Sequence, residues 1–267
     1  MDNKISCLGT PIKIRDYFLR RRHKIFYLEF FKVLFLCYFY IISFLWNIRN
    51  QLLVIFDVEG VLYDAEYLPI LAEKLGKEEE IWEITKKGIQ GVIDWEEGLR
   101  TRVEALKGLD YETCKVVADE LPIMTGAKEA CRILKAAGWK LMAVSGGFTI
   151  MTDRLKKELE LDHVFSNELI FKDGKLDGVK INVDSNKAKS AKLKIAEWKE
   201  EKENISCVVD GANDIKLFDI CGLGIAFRAQ DIVKDMATTT LEEKDLSKIL
   251  DIINKHYKIE LETPTLA

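Results

Sequence analysis

The sequence lacks the spacing patterns that usually mark zinc sites, disulfide frameworks and histidine catalysis. Its six cysteines form no CxxC pair, which argues against a zinc site or a disulfide scaffold and favours reduced thiols. The three histidines, His23, His163 and His256, lie far from one another and from other reactive groups, so histidine chemistry is not expected. With only 4 prolines in 267 residues and 48% hydrophobic residues, the chain is neither collagen-like nor wholly disordered.

An excess of positive charge is also missing from the chain as a whole. It carries 40 Lys and Arg against 44 Asp and Glu, so no nucleic-acid partner is expected. The first fifty residues differ, with nine basic against three acidic side chains and twelve of the 26 aromatic residues. Two segments of different composition therefore join near residue 50.

The N-terminal segment, residues 1–50, contains an apolar stretch at 25–48 that Glu29 and Lys32 interrupt. Its uncharged part, 33–46, has 14 residues, whereas a bilayer-spanning helix needs about 20. Three interpretations follow: a membrane or interfacial anchor beside the basic run, an over-extended start that the cell does not make, or a soluble helix that binds a partner. We expect a cytoplasmic protein, with membrane contact through residues 25–48 under the first interpretation.

From residue 51 the pattern is typical of an α/β fold. The run QLLVIFDVEGVLYDAE contains a continuous apolar strand, and similar segments follow at 138–147, 204–215 and 222–227. Amphipathic helical patterns fill the interval after the first strand, and alternation around Lys-Asp-Gly at 163–180 predicts a hairpin. The sequence predicts a Rossmann-like parallel sheet core, residues 51–62 and 128–267, with an inserted helical cap at 63–127.

Reactive side chains follow the predicted strands. Asp57 and Asp210 end strands that we expect to be neighbours, where both can hold Mg²⁺ through oxygen. Asp57 can also attack phosphorus as a nucleophile. Ser145 begins a Ser-Gly-Gly turn that can cradle phosphate, Lys189 can neutralise the phosphate oxygens, and Asp214 can orient the lysine or the metal's water molecules.

Together these motifs resemble a known family. The series IFDVEGVLYDAE, VSGGF, KAKSAKL and VVDGANDIKLF is similar to the haloacid dehalogenase superfamily, and specifically to its phosphoserine phosphatase branch, over residues 51–254. The likeness extends into the insert, at GVIDWEEGLRTRVEALKGL. It implies a Mg²⁺-dependent enzyme that hydrolyses a small phosphomonoester through an aspartyl-phosphate, with O-phospho-L-serine as substrate and L-serine as product.

The resemblance implies roles for individual residues. Asp57 would be the nucleophile and Glu59 the general acid and base, while Asp57, Asp210 and the backbone carbonyl of Glu59 would hold the metal. The groups that would hold phosphate are Ser145, Gly146, Lys189 and Asn213, with Asp214 beside the metal. In the cap, Glu66 would read the substrate ammonium, Arg102 would pair with its carboxylate, and Trp95 would shield it.

Glu59 departs from the family pattern, because the branch usually has Asp at this position. Its longer side chain moves the acid/base group by about an ångström, a displacement that can lower the rate. The Asp-x-Glu-Gly-Val motif also occurs in relatives that resemble phosphoserine:homoserine phosphotransferases, so phosphate transfer to an alcohol stays open, as does another small phosphomonoester substrate. The SGGF motif favours hydrolysis. A membrane-tethered binding protein without activity is a third hypothesis, which the joint presence of all the motifs disfavours.

Overall fold

The computed structural model describes residues 52–90 and 92–261. This part of the chain contains a seven-stranded sheet with helices between the strands. The strands are β1 (Leu53–Phe56), β2 (Lys140–Phe148), β3 (His163–Lys172), β4 (Lys175–Lys180), β5 (Ile205–Val209), β6 (Leu223–Phe227) and β7 (Thr239–Leu241). The α-helices are α1 (Tyr67–Ala72), α2 (Glu78–Ile89), α3 (Trp95–Ala105), α4 (Tyr111–Glu120), α5 (Ala127–Ala136), α6 (Thr149–Glu158), α7 (Lys187–Trp198), α8 (Asp231–Met236) and α9 (Ile249–Tyr257).

Strand β1 is the centre of the sheet, whose order is β4-β3-β2-β1-β5-β6-β7. Neighbouring strands are parallel, except for the antiparallel hairpin β3–β4. Every residue of β1 is completely buried, because helices cover both faces of the sheet: Val54 and Phe56 pack into one core, Leu53 and Ile55 into the other. The predicted Rossmann-like fold and the predicted hairpin are confirmed.

Helices α1 to α4 lie in the interval between β1 and β2. The chain leaves and returns to the sheet at adjacent points, because the backbone N–H of Asp64 donates to the carbonyl of Pro122 at 2.9 Å and that of Met124 to Leu62 at 2.9 Å. Tyr63 and Ile123 form an antiparallel bridge between these two hydrogen bonds. An inserted segment requires that its two ends lie close together, and these contacts hold them so. The predicted domain boundaries at 63 and 127 stay a prediction.

The apolar stretch at 25–48, with its proposed membrane contact, lies outside the described residues. Among the helices of 52–90 and 92–261, none combines the length and apolar composition that crossing a bilayer requires. The four cysteines in these ranges, Cys114, Cys131, Cys207 and Cys221, are buried and free.

Candidate active site

One pocket lies where the loops after β1, β2 and β5 meet the start of α7. Parallel strands end at the same edge of the sheet, so the polar residues that follow them converge. Side chains of the α1–α3 segment form the opposite wall. The predicted site residues that line the pocket are Asp57, Glu59, Glu66, Trp95, Arg102, Gly146, Asp210 and Asn213.

Lys187 occupies the centre of the core side of this pocket. Its Nζ lies 2.6 Å from Asp57 Oδ1 and 2.6 Å from Asp214 Oδ1, and the residue is only 3% exposed. Burial alone would lower the pKa of Lys187, but the two carboxylates raise it above its ordinary value. The ammonium is therefore held charged and fixed against Asp57.

The lysine predicted from the sequence was Lys189, and that prediction is wrong. The Lys189 side chain is 75% exposed, and its Nζ lies 3.3 Å from Asp184 Oδ2, away from the pocket. Residues two apart on a helix point in different directions, by about 200°, so only one of the two lysines can face the sheet. Because α7 begins at Lys187, its first residue is the one that reaches Asp57.

Three carboxylates of the described residues could hold a cation. One oxygen from each of Asp57, Asp210 and Asp214 lies within 4.8 Å of the other two. Asp214 is buried, and its Oδ2 has no hydrogen-bond partner. An unsatisfied buried carboxylate oxygen beside two further carboxylates is a donor set that suits a hard cation such as Mg²⁺.

Burial and mutual repulsion also govern the protonation of these acids. Burial raises the pKa of Asp210 to about 7, and the negative charge of Asp57 is the second largest cause of this shift. The same two causes raise the pKa of Asp214 well above its usual range, although Lys187 opposes them. Where no metal cation is bound, burial therefore favours a proton on Asp210, whereas the ammonium of Lys187 keeps Asp214 paired as a carboxylate.

Glu59 lies in the loop after β1, and its Oε1 accepts a hydrogen bond of 2.7 Å from the backbone N–H of Tyr67. Burial raises the pKa of Glu59, against the lowering effects of this hydrogen bond and of Arg102. On its other side the carboxylate approaches Gly147, where an added Cβ would lie 3.0 Å from Glu59 Oε2. The side chain of Glu59, one methylene longer than that of Asp, thus fits between the start of α1 and Gly147.

The Ser-Gly-Gly segment belongs to the end of β2, and α6 begins only at Thr149. Ser145 is buried and does not line the pocket, and its Oγ accepts from the Gly147 N–H at 2.9 Å. The wall itself is formed by Gly146, Gly147 and Phe148. The strand therefore continues through both glycines, and the next helix begins directly after Phe148.

The opposite wall carries the groups predicted to recognise an amino acid. Arg102 on α3 is largely buried, and burial lowers its pKa, against the opposing charges of Glu59 and Glu66. Burial also raises the pKa of Glu66 well above its usual range. Trp95 packs against Gly146 so closely that a Cβ added at Gly146 would lie 2.9 Å from Trp95 Cζ2.

Sequence reasoning missed three residues of this site. Besides Lys187, they are Thr85, which accepts a hydrogen bond from Arg102 at 3.0 Å, and Asn167. Asn167 is completely buried; its amide donates to the Gly146 carbonyl at 2.8 Å and accepts from the backbone N–H of Val183 at 2.9 Å. Neither Thr85 nor Asn167 lies in a motif, so only the tertiary contacts reveal them.

Comparison with known proteins places this site in a family. The family model for haloacid dehalogenase-like hydrolases matches residues 52–218. The chain belongs to the haloacid dehalogenase-like hydrolases. This hydrolase is 39% identical over 208 residues to the phosphoserine phosphatase of Methanocaldococcus jannaschii, covering 77% of this chain and 99% of that protein. It is 37% identical over 208 residues to the phosphoserine phosphatase of Archaeoglobus fulgidus, covering 77% of this chain and 60% of that protein.

Solved structures agree with the sequence relatives. The hydrolase superposes with a TM-score of 0.73 on a phospho-aspartyl intermediate analogue of phosphoserine phosphatase, at 38% identity, covering 76% of this chain and 99% of that one. A substrate-bound phosphoserine phosphatase complex gives a TM-score of 0.73 at 37% identity, covering 76% and 98% of the two chains. The predicted resemblance, fold and enzyme class of this hydrolase are therefore confirmed.

Gly60 provides a test of how tightly the site is packed. Its φ is +83°, and an added Cβ would lie 2.2 Å from Asp210 Oδ2. Gly108 has a similar φ of +88° with nothing within 4 Å, so Gly108→Ala measures the backbone strain alone. We expect Gly60→Ala to lower the free energy of unfolding in urea by about 1–3 kcal/mol more than Gly108→Ala, because Asp210 must move. Equal losses in the two variants would contradict this packing.

The raised pKa of Asp210 predicts how stability varies with pH. Its pKa is about 7 in the folded protein against an ordinary 3.8. The folded state then binds more protons than the unfolded state between these values, so this residue lowers stability as pH rises from about 4 to 7. In EDTA, we expect Asp210→Asn to raise the free energy of unfolding at pH 8 by about 1–3 kcal/mol, and less at pH 5.

The control for this measurement is Asp235→Asn, which changes an exposed carboxylate on α8. It should leave the difference between pH 8 and pH 5 unchanged, because its carboxylate stays in water. An Asp210→Asn variant that is equally stable as the original protein at pH 8 would show that the Asp210 carboxylate is not destabilised by burial.

Proposed function

We propose that this hydrolase removes the phosphate of O-phospho-L-serine, giving L-serine and inorganic phosphate, with Mg²⁺ as cofactor. The observation that supports this most strongly is the pairing of two recognition surfaces in one pocket. One surface, with Asp57, Lys187 and Asp210, suits phosphoryl transfer, and the other presents the partly buried guanidinium of Arg102 and the partly buried carboxyl group of Glu66 to the same space. Similarity to several phosphoserine phosphatases supports the same substrate.

In this proposal Asp57 is the nucleophile. Its carboxylate attacks phosphorus and forms an aspartyl-phosphate, which water then hydrolyses. Lys187, 2.6 Å from Asp57 Oδ1, offsets the negative charge on the phosphoryl oxygens. The backbone N–H groups along the Gly146 wall and the amide of Asn213 contribute further donors to phosphate.

Glu59 is the proposed general acid and base. Its raised pKa favours the protonated carboxyl that must donate to the leaving oxygen of serine, and the resulting carboxylate can then accept a proton from the attacking water. The hydrogen bond from the Tyr67 N–H fixes Glu59 Oε1, and Glu59 Oε2 lies near Gly147.

Asp57, Asp210 and the backbone carbonyl of Glu59 would hold Mg²⁺, and Asp214 would orient Lys187 or the water molecules of the metal. When bound, the cation offsets the charge of the carboxylates and polarises the phosphate oxygens. It would also displace the proton that burial favours on Asp210, so its affinity should weaken below about pH 7.

Specificity for an amino-acid phosphate comes from the α1–α3 wall, which we propose acts as a cap. Among the described residues, no carboxylate lies within 4.0 Å of the Arg102 guanidinium, so its charge is free for a substrate carboxylate. Glu66, whose carboxyl is favoured in its neutral form, becomes a carboxylate when the substrate ammonium lies beside it. Trp95 covers the space between the two walls.

The experiment that tests this function measures phosphate release from O-phospho-L-serine with Mg²⁺, with EDTA, and with added homoserine. We expect Mg²⁺-dependent release that homoserine does not change. Phosphohomoserine formed in place of free phosphate would identify a phosphotransferase, in agreement with the unusual Glu59. Absence of turnover with phosphoserine, together with turnover of other phosphomonoesters, would retain the chemistry and reject this substrate.

Two lysines of the same helix give a matched test of the catalytic assignment. Lys187→Met should lower kcat/KM for phosphoserine at least about 100-fold, because the phosphoryl oxygens lose a fixed cation. Lys189→Met makes the same chemical change on an exposed side chain and should stay within about twofold of the original enzyme. Circular dichroism and urea unfolding check that both variants fold. Comparable losses in the two variants would remove Lys187 from the mechanism.

A further inference from the structure

We infer that Thr85 is a positioning residue that sets the guanidinium of Arg102 for the substrate carboxylate, and so determines selectivity for phosphorylated amino acids. This inference rests on the proposed function, because it assigns Arg102 to carboxylate recognition. Thr85 lies on α2 and Arg102 on α3, and both line the pocket.

The Thr85 hydroxyl has a fixed direction. Its Oγ1 donates to the carbonyl of Ile81 at 2.8 Å, one helical turn earlier, and the side chain is 1% exposed. A hydroxyl has one hydrogen, which is used by Ile81, so its lone pairs are what remains for Arg102. Arg102 Nη1 donates to Thr85 Oγ1 at 3.0 Å.

A second acceptor completes the orientation of the guanidinium. Arg102 Nε donates to the carbonyl of Gly98 on its own helix at 3.2 Å. The planar group is therefore held at two points, Nε by α3 and Nη1 by α2, and its other N–H groups are left for a ligand in the pocket. Because arginine loses considerable rotamer freedom when it binds, a guanidinium already fixed in place binds a carboxylate more tightly.

Among the described residues, the Thr85 hydroxyl makes two hydrogen bonds, one to the Ile81 carbonyl within α2 and one from Arg102 on α3. A purely structural role would require only the volume of the side chain, because a helix does not need the hydrogen bond from the Thr85 hydroxyl to the Ile81 carbonyl. The bond to Ile81 already satisfies the hydroxyl hydrogen, so what distinguishes Thr85 from a valine of similar size is the acceptor that its oxygen offers to Arg102 on the neighbouring helix.

The experiment compares two substrates that differ only in the α-carboxylate: O-phospho-L-serine and O-phosphoethanolamine. Selectivity is the ratio of their kcat/KM values. Thr85→Val removes the hydroxyl at similar size and should lower this ratio about tenfold, the effect of losing one hydrogen bond to a charged group. Thr85→Ser keeps the hydroxyl and should restore most of the ratio.

The matched control is Thr152→Val. Thr152 is also a buried threonine on a helix, but its Oγ1 contacts Ser166 Oγ at 3.0 Å. This variant should lose stability without a change in the ratio. If Thr85→Val lowers turnover of both substrates equally, or leaves the ratio unchanged, Thr85 has only a packing role and the inference is wrong.

Arg102→Ala separates failure of this inference from failure of the proposed function. If Arg102→Ala abolishes selectivity for phosphoserine while Thr85→Val does not, the function stands and the role of Thr85 is rejected. If the original enzyme turns over phosphoserine without preferring it to phosphoethanolamine, the role of Thr85 is rejected while hydrolysis of phosphoserine stands; if it does not turn over phosphoserine, both are rejected. When Thr85 acts through Arg102, Thr85→Val has no further effect on the ratio in the Arg102→Ala background. Should Thr85→Val fold poorly, Thr85→Ala is measured in the same way.

Discussion

The active site depends on one buried ammonium group. Lys187 lies within 2.6 Å of both Asp57 and Asp214, and almost no part of the three side chains reaches water. Removing a single partner from a buried ion pair typically costs about 3–5 kcal/mol, because the remaining charge has no solvent to stabilise it. Lys187 therefore links the start of α7, the end of β1 and the segment after β5, and it is the same cation to which we assign the stabilisation of the phosphoryl group.

Acidic groups still outnumber this cation on the core side of the pocket. Burial and mutual repulsion raise the pKa values of Asp210 and Asp214, and Glu59 and Glu66 face the same space. In the proposed mechanism a phosphate dianion would meet these carboxylates, and a divalent cation between them would offset the negative charge. The positive charge of Arg102 lies on the other wall, so the proposed recognition of the amino acid is separate in space from the proposed recognition of its phosphate.

The fold could be predicted from the sequence because apolar runs mark strands that are buried on both faces. The strand before Asp57 is fully buried as its composition indicates, and the strand before Asp210 lies next to it as predicted. The approach of Asp57 to Asp210 followed from the same argument, since carboxylates after neighbouring parallel strands must converge, whereas Glu66, Arg102 and Trp95 were expected only from the family resemblance.

Side-chain direction and contacts between distant segments could not be predicted. The segment KAKSAKL contains lysines two residues apart, and the choice between Lys187 and Lys189 depends on the residue at which α7 begins. Arg102 and Thr85 are 17 residues apart on different helices, and a threonine in an amphipathic helix carries no signal of its partner. Asn167 is likewise an ordinary residue of β3 until the fold brings it to the carbonyl of Gly146.

The bridge between Tyr63 and Ile123 has a consequence for how this architecture can change. The intervening segment leaves and returns through two hydrogen-bonded points, so β1 and β2 keep their register whatever lies between them. Insertions are tolerated best where the ends of a segment are close together. The half of the pocket with Asp57 and Lys187 can thus stay constant while the segment that supplies Glu66 and Arg102 is exchanged, and under the proposed function substrate choice then changes independently of phosphoryl transfer.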